Sequence, residues 1–313
     1  MKRTAALAIL FLLALCAALS APAQSADPPV TFHIAFTADS GRLVVASHAG
    51  GIKVLSVPDL KVIRTIALTS GHPLRSAAVS PSGRWLVADD DADLLVWNLE
   101  TGEAQTAVPI THRHRYIHPV YVFGPDDDTL FVFEDILKIW DVKQGRDLGV
   151  VNGIGSVEMM TVSPDGHFLV ALGQCDEGRV SGTLCVLAID QRSFVAATRW
   201  LESFKDSGKQ YANWYPKDLV YTKDDRILLT AKEDQGTFHS CFYKPADLKV
   251  LEQTVVEPER GWLYPGLRST ASGQLETVSP DGKWKVTGFH KRLYLYRVTS
   301  ETTRTLEKFT AIP

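Results

Sequence analysis

The chain has 313 residues, of which 45% are hydrophobic and 22% charged, with a formal charge of −3. That balance is ordinary for a globular protein and excludes a disordered or low-complexity chain. No basic stripe runs through it, which argues against nucleic acid as a partner, because neutralising phosphates needs clustered Lys and Arg.

At the N-terminus, Lys2 and Arg3 precede an almost wholly apolar run, Ala5 to Leu19, followed by Ala21-Pro22-Ala23. A basic start, an apolar stretch and small residues at the cleavage positions predict a secretory signal peptide over 1–23, cut before Gln24. The apolar run is shorter than the ~20 residues a span needs, so no membrane span is expected once it is removed. Cys16 follows Leu15, where a lipid-attachment signal wants a small residue. Losing Lys2 and Arg3 takes the formal charge to −5. A periplasmic or secreted location follows as the expectation, and with it an oxidising environment for Cys175, Cys185 and Cys241. Cys175 and Cys185 flank a loop between two predicted strands and form a candidate disulfide. Cys241 falls among buried positions and reads as a packed free thiol.

From Phe36 onward a five-residue phrase recurs six times. It reads Phe-Thr-Ala-Asp-Ser at Phe36, Val-Ser-Pro-Ser-Gly at Val79 and Phe-Gly-Pro-Asp-Asp at Phe123. It returns as Val-Ser-Pro-Asp-Gly at Val162, Tyr-Thr-Lys-Asp-Asp at Tyr221 and Val-Ser-Pro-Asp-Gly at Val278. The spacings are 43, 44, 39, 59 and 57 residues. A unit of that length, repeated, means a repeat architecture. An apolar run of strand length follows each phrase, from Leu43-Val44-Val45-Ala46 to the more polar Trp284-Lys285-Val286-Thr287. The phrase itself is a tight turn, since Pro presets φ and Gly or Asp tolerates positive φ.

A third strand is predicted in each unit: Ile52–Val57, Leu94–Leu99, Leu137–Val142, Leu184–Ile189, His239–Lys244 and Leu293–Val298. Its fourth position reads Leu55, Trp97, Trp140, Leu187, Phe242 and Tyr296, and its third reads Val54, Val96, Ile139, Val186, Cys241 and Leu295. Two adjacent large columns mean strands covered on both faces. Lys61–Leu68 and Ala104–Pro109 suggest a fourth strand.

Four antiparallel strands per unit, repeated radially, make an all-β propeller. The chain resembles the WD-repeat and YVTN-type propeller families at these residues. Trp140-Asp141 is a WD pair ending a third strand, Trp97-Asn98 is its near relative, and Gly71-His72 precedes the second unit as the family's Gly-His does. The resemblance runs from about Thr31 to Pro313. Four of the six units lack the tryptophan and only one has a Gly-His, so the chain reads as a degenerate, exported bacterial member. Six blades are expected within one domain, 24–313, and the length also accommodates seven. Two extra segments, Leu201–Pro216 and Val256–Gly273, read as insertions.

In this architecture both insertions emerge on the face that carries the second-to-third and fourth-to-first connections, here termed the top. Functional residues concentrate on such loops. The first insertion holds Trp214 and Tyr215, the second Trp262 and Tyr264. Clustered aromatics suit a protein or peptide anchor, or else pack the insertions onto the ring. His112-Arg113-His114-Arg115, before the third unit, reads as a basic loop suited to an anionic group rather than a metal site. Asp89-Asp90-Asp91-Ala92-Asp93 lacks the glycine of a calcium loop and reads as a polar hairpin turn. No elbow, zinc or phosphate-loop motif is present. The expectation is therefore a non-enzymatic platform for a protein or peptide, with no catalytic residue, cofactor or metal. The rival expectation is an enzyme resembling propeller lactonases or quinoprotein-like dehydrogenases, with Asp89–Asp91, Glu134 or the histidines as ligands at the channel mouth.

Overall fold

The computed structural model describes residues 31–47, 51–67, 74, 76–89, 94–105, 108, 119–175, 182–202, 214–233, 238–256, 268–269, 274–289, 292–298 and 306–311. In every copy of the phrase the fifth residue is left-handed. Its φ is 59° at Ser40, 76° at Gly83, 67° at Asp127, 77° at Gly166, 58° at Asp225 and 73° at Gly282. Gly adopts this conformation freely, and short polar residues tolerate it best among the others. In five of the six copies a hydroxyl on the second residue of the phrase locks the turn; in the third, where that residue is Gly124, Asp126 Oδ1 accepts the Thr129 N–H instead. The hydroxyls of Ser80, Ser163 and Ser279 accept the backbone N–H of Trp85, Phe168 and Trp284. The Thr37 and Thr222 hydroxyls accept those of Arg42 and Arg226. Hydrogen bonds from Thr37, Ser163 and Thr222 hold the carboxyls of Asp39, Asp165 and Asp224 below the usual carboxylate range.

Each turn folds its chain into a blade. Blade 1 contains β1 (Thr31–Phe36), β2 (Arg42–Ser47), β3 (Gly51–Ser56) and β4 (Val62–Ile66). Blade 2 contains β5 (Ser76–Val79), β6 (Trp85–Asp89) and β7 (Leu94–Asn98), with the fourth place held by bridges from Ala104 and Val108. Blade 3 runs β8 (Val120–Phe123), β9 (Thr129–Phe133), β10 (Leu137–Asp141) and β11 (Arg146–Val151). Blade 4 runs β12 (Ile154–Val162), β13 (Phe168–Cys175), β14 (Thr183–Ala188) and β15 (Ser193–Arg199). Blade 5 runs β16 (Trp214–Tyr221), β17 (Ile227–Glu233), β18 (Phe238–Tyr243) and β19 (Val250–Val256). Blade 6 has five strands, β20 (Arg268–Ser269), β21 (Gln274–Val278), β22 (Trp284–Phe289), β23 (Arg292–Val298) and β24 (Leu306–Ala311). All pairs are antiparallel, and the six sheets form a six-bladed β-propeller. A seventh sheet is absent among the described residues.

Apolar clusters glue successive blades. Val44 and Ala46 of blade 1 meet Leu86 and Trp97 of blade 2. Val87 and Val96 of blade 2 meet Leu130 and Trp140 of blade 3. Phe131 and Phe133 of blade 3 meet Leu169 and Leu187 of blade 4, and Val170 and Leu184 of blade 4 meet Leu229 and Tyr243 of blade 5. Leu43 and Leu55 of blade 1 meet Val286 and Leu295 of blade 6. Burying such side chains contributes about 1.5–3 kcal/mol each, so the junctions carry much of the stability.

Blade 5 departs from the expected register. Phe36, Val79, Phe123, Val162 and Val278 pair with residues seven further on, whereas Tyr221 pairs with Ile227, six further on. The turn is one residue shorter, and a one-residue slip exchanges the two faces of a strand. Tyr243, not Phe242, is consequently opposite Ile227 and occupies the column held by Trp97 and Trp140. Cys241 leaves the expected third-position column with it. It remains buried and outside any disulfide, its thiol pushed up to about 12 by burial. No helix among the described residues is long and apolar enough to cross a membrane.

Candidate functional site

The two faces of the ring differ. On the phrase-turn face polar groups bind one another. Asp141 Oδ1 accepts the Gln144 N–H at 2.8 Å, so the aspartate of the Trp-Asp pair caps the following turn. Asn98 Oδ1 does the same for Glu100 at 2.8 Å. Neighbouring turns are tied together: Ala38 N–H donates to Pro81 O at 2.8 Å, and Ser82 N–H to Asp127 Oδ1 at 2.7 Å. The Trp85 indole N–H donates to Asp128 of the next blade at 3.2 Å.

Large apolar side chains are exposed on the outer strands, at Val62, Ile63, Val195, Val250 and Leu251, and also on the top face. Ile136 between β9 and β10 is 41% exposed, Leu201 after β15 is 41% exposed, and Tyr215 near the start of β16 is 50% exposed. Lys217 Nζ stands 5.9 Å from the centre of the Tyr215 ring. Tyr215 thus offers apolar area, a hydroxyl and an adjacent cation at the mouth of the ring.

Trp214 and Tyr215 belong to inner strand β16 rather than to the preceding insertion. Alternation sends them to opposite sides. Trp214 packs on the blade 4–blade 5 cluster, its ring 4.6 Å from that of His239 at 73°. His239 Nε2 lies 3.6 Å from Glu233 Oε2, both side chains being buried. Trp214 is therefore held by the ring, and Tyr215 is the member of the pair that faces solvent. Trp262, Tyr264, His112, Arg113, His114 and Arg115 lie outside the described residues.

Of the acidic positions of the rival enzyme reading, Asp89 and Glu134 are among the described residues. Asp89 is buried at the end of β6, near Tyr121, whose hydroxyl lies 2.7 Å from that of Ser76. Burial pushes the Tyr121 phenol well up, and the Asp89 charge adds to this. Glu134 is buried against Lys138, with 3.3 Å between Oε2 and Nζ. Asp90, Asp91 and Asp93 lie outside the described residues. Among the described residues, no three His, Cys, Asp or Glu side chains gather as metal ligands.

Cys185 is fully buried and disulfide-bonded. The side chain of Cys175 lies outside the described residues. Register pairs Cys185 with Ala171 and Thr183 with Gly173, and Cys175 ends β13 opposite Ile154.

Two residues that carry information were not singled out from sequence. Ile136 lacked a pattern, coming between two acids and the start of the predicted third strand at Leu137. His33, on β1, is buried with its Nε2 unbonded, and burial lowers its pKa to about 4.

Residues 61–98 match the WD domain, G-beta repeat family. The match starts one residue before β4 and ends with β7, spanning the outer strand of one blade and three strands of the next. It contains the Trp97 column position and Gly71-His72, the latter outside the described residues. The chain is a β-propeller with a WD repeat. No curated protein matches it. Among solved structures, the propeller is similar to Kuenenia stuttgartiensis hydrazine synthase, at 15% identity and a TM-score of 0.58, over 94% of this chain and 89% of that one. At that identity the likeness is one of fold. In all, 1583 solved chains match, so the architecture is too widely used to assign a function by itself.

Proposed function

We propose that the protein is an exported, non-enzymatic propeller that binds a protein or peptide through its top face. One observation carries this reading: exposed Ile136, Leu201 and Tyr215 all stand on that face, whereas the phrase-turn face hydrogen-bonds to itself. Aromatic and aliphatic anchors over a rigid scaffold, with a cation beside them, suit a peptide whose side chains are apolar and acidic. Trp262 and Tyr264 extend the apolar surface in this proposal, and His112, Arg113, His114 and Arg115 supply further positive charge. Export rests on the signal sequence over 1–23, and a periplasmic or secreted location follows from it. The pairing of Cys175 with Cys185 belongs to the same proposal.

The experiment is capture from the native envelope extract with immobilised full chain, read by quantitative mass spectrometry. Three baits are compared: the unaltered protein, a top-face variant (Ile136→Ser, Leu201→Ser, Tyr215→Ala) and a phrase-turn variant (Lys143→Ala, Lys283→Ala). The reading requires a partner retained by the first and third baits and lost from the second. A partner lost equally from the third, or retained by all, contradicts it.

A further inference from the structure

Strict alternation fails in the inner strands of blades 4 and 5. Trp214 and Leu219, five residues apart on β16, pack on the same blade 4–blade 5 cluster. Val157 and Met160, three apart on β12, pack on the same blade 3–blade 4 cluster. In a regular strand, side chains an odd number of residues apart point to opposite sides, so each strand holds an extra residue between them. Val157 pairs with Gly173 and Met159 with the adjacent Leu172, which leaves Glu158 over. Pro216 pairs with Ala231 and Asp218 with the adjacent Thr230, which leaves Lys217 over.

The two bulges stand at one level of the ring. Leu172 and Thr230 lie three residues past Leu169 and Ile227, which pair with Val162 and Tyr221 at the start of the phrase. β1 is bulged at the same rung: His33 pairs with Ala46, three past Leu43, and the backbone of Phe32 is left over. β5 and β8 begin at this rung, with Ser76 opposite Asp89 and Val120 opposite Phe133, and β21 passes it without a bulge. A bulge takes its extra residue out of the ladder and re-aims the side chain.

The neighbours of Glu158 and Lys217 decide where they are aimed. β12 is paired outward with β13 and flanked by β8 and β16, so its open side is the central channel. Glu158 is the fifth of nine residues and exposed, so it lines that channel rather than a strand end. Lys217, the fourth of eight in β16, is exposed likewise. The Tyr221 N–H donates to Thr161 Oγ1 at 3.2 Å and ties the two strands side by side. Lys217 Nζ turns to the Tyr215 ring on its own strand, 5.9 Å from its centre, and no ion pair joins it to Glu158. A carboxylate and an ammonium thus stand at one level on adjacent strands, each available to a ligand.

A ligand with one charge is drawn to one of these groups and repelled by the other, whereas an ammonium beside a carboxylate satisfies both. We propose that Glu158 and Lys217 form a collar in the channel that binds a free amino acid, with the ligand's ammonium towards Glu158 and its carboxylate towards Lys217. This small-molecule site is separate from the macromolecular site of the top face and does not depend on it.

Saturation-transfer NMR on the full chain, with the protein amino acids offered as a mixture, tests this. The best binder is then titrated calorimetrically beside its decarboxylated amine and its deaminated acid, against the unaltered protein, Glu158→Gln and Lys217→Gln. Both side chains are exposed, so neither substitution should disturb folding. The expected result is a dissociation constant of about 1 mM or below for the amino acid, and about tenfold or more weaker binding of either one-charge relative. Glu158→Gln should bring the amino acid and the deaminated acid to equal affinity, and Lys217→Gln should do so for the amino acid and the amine. No binding of any amino acid, or selectivity left unchanged in either variant, overturns the proposal.

Discussion

The backbone N–H of Asp281 donates to the hydroxyl of Ser40 at 3.1 Å, joining the last phrase turn to the first across 241 residues of sequence. Beside it, Leu43, Leu55, Val286 and Leu295 pack together. The ring is thus closed by side chains rather than by one blade built from both ends of the chain. Ser40→Ala removes the acceptor and leaves a donor to find water. A loss of about 1 kcal/mol is expected in urea unfolding, and no loss would mean that the apolar cluster alone closes the ring.

Two glycines at the same turn position should respond differently. Both are left-handed, so alanine is strained at either. At Gly83 the added carbon would meet Thr37 Cγ2 at 2.1 Å, whereas at Gly282 nothing lies within 4 Å. Gly282→Ala should cost about 1 kcal/mol from backbone conformation alone. Gly83→Ala should cost clearly more, because Thr37 must move. Calorimetric melting of the pair checks the order, and equal losses would show that the turns yield freely.

The two residues that open β16 should separate stability from binding. Trp214→Ala empties space against the blade 4–blade 5 cluster and removes the ring packed on His239, so about 2–3 kcal/mol should be lost. Tyr215→Ala should change stability by less than about 0.5 kcal/mol, since the side chain is half exposed. Urea midpoints of the two variants decide the assignment. A destabilised Tyr215→Ala would return that residue to the core.

His33 should make the ring acid-sensitive. Burial lowers its folded-state pKa to about 4, from an unfolded value near 6.5. The unfolded chain therefore binds a proton that the folded chain does not over this window. The His33 contribution is whole above about pH 6.5 and is lost as pH falls towards 4, amounting to about 3 kcal/mol. Unfolding free energies of the protein and of His33→Leu, measured across pH 4 to 7, should converge in acid by that amount. A constant difference across the range would mean that His33 titrates alike in the folded and unfolded chains.

Much of the architecture could be read from residues alone, because each phrase encodes its turn chemically. Gly, Ser or Asp at the fifth position suits the left-handed turn in all six copies, and a hydroxyl at the second position locks it in five. The register of blade 5 could not be read. Asp224-Asp225 suits turns of either length, and Ile227-Leu228-Leu229 is apolar at every position, so the run carries no alternation to fix its faces. Phe242 and Tyr243 are both aromatic, which hides the slip again. The same limit misplaced Trp214, whose insertion ends where a strand begins without a turn residue to mark it.

The central claim is that the top face binds a protein or peptide, and one measurement reaches it most directly. Peptides selected from a random display library on the immobilised full chain are titrated calorimetrically against the unaltered protein, Tyr215→Ala, and the Lys143→Ala, Lys283→Ala variant. Binding by the unaltered protein, about tenfold weaker with Tyr215→Ala and unchanged in the phrase-turn variant, is the predicted result. Peptides that bind Tyr215→Ala undiminished, and lose affinity for the phrase-turn variant instead, would contradict it.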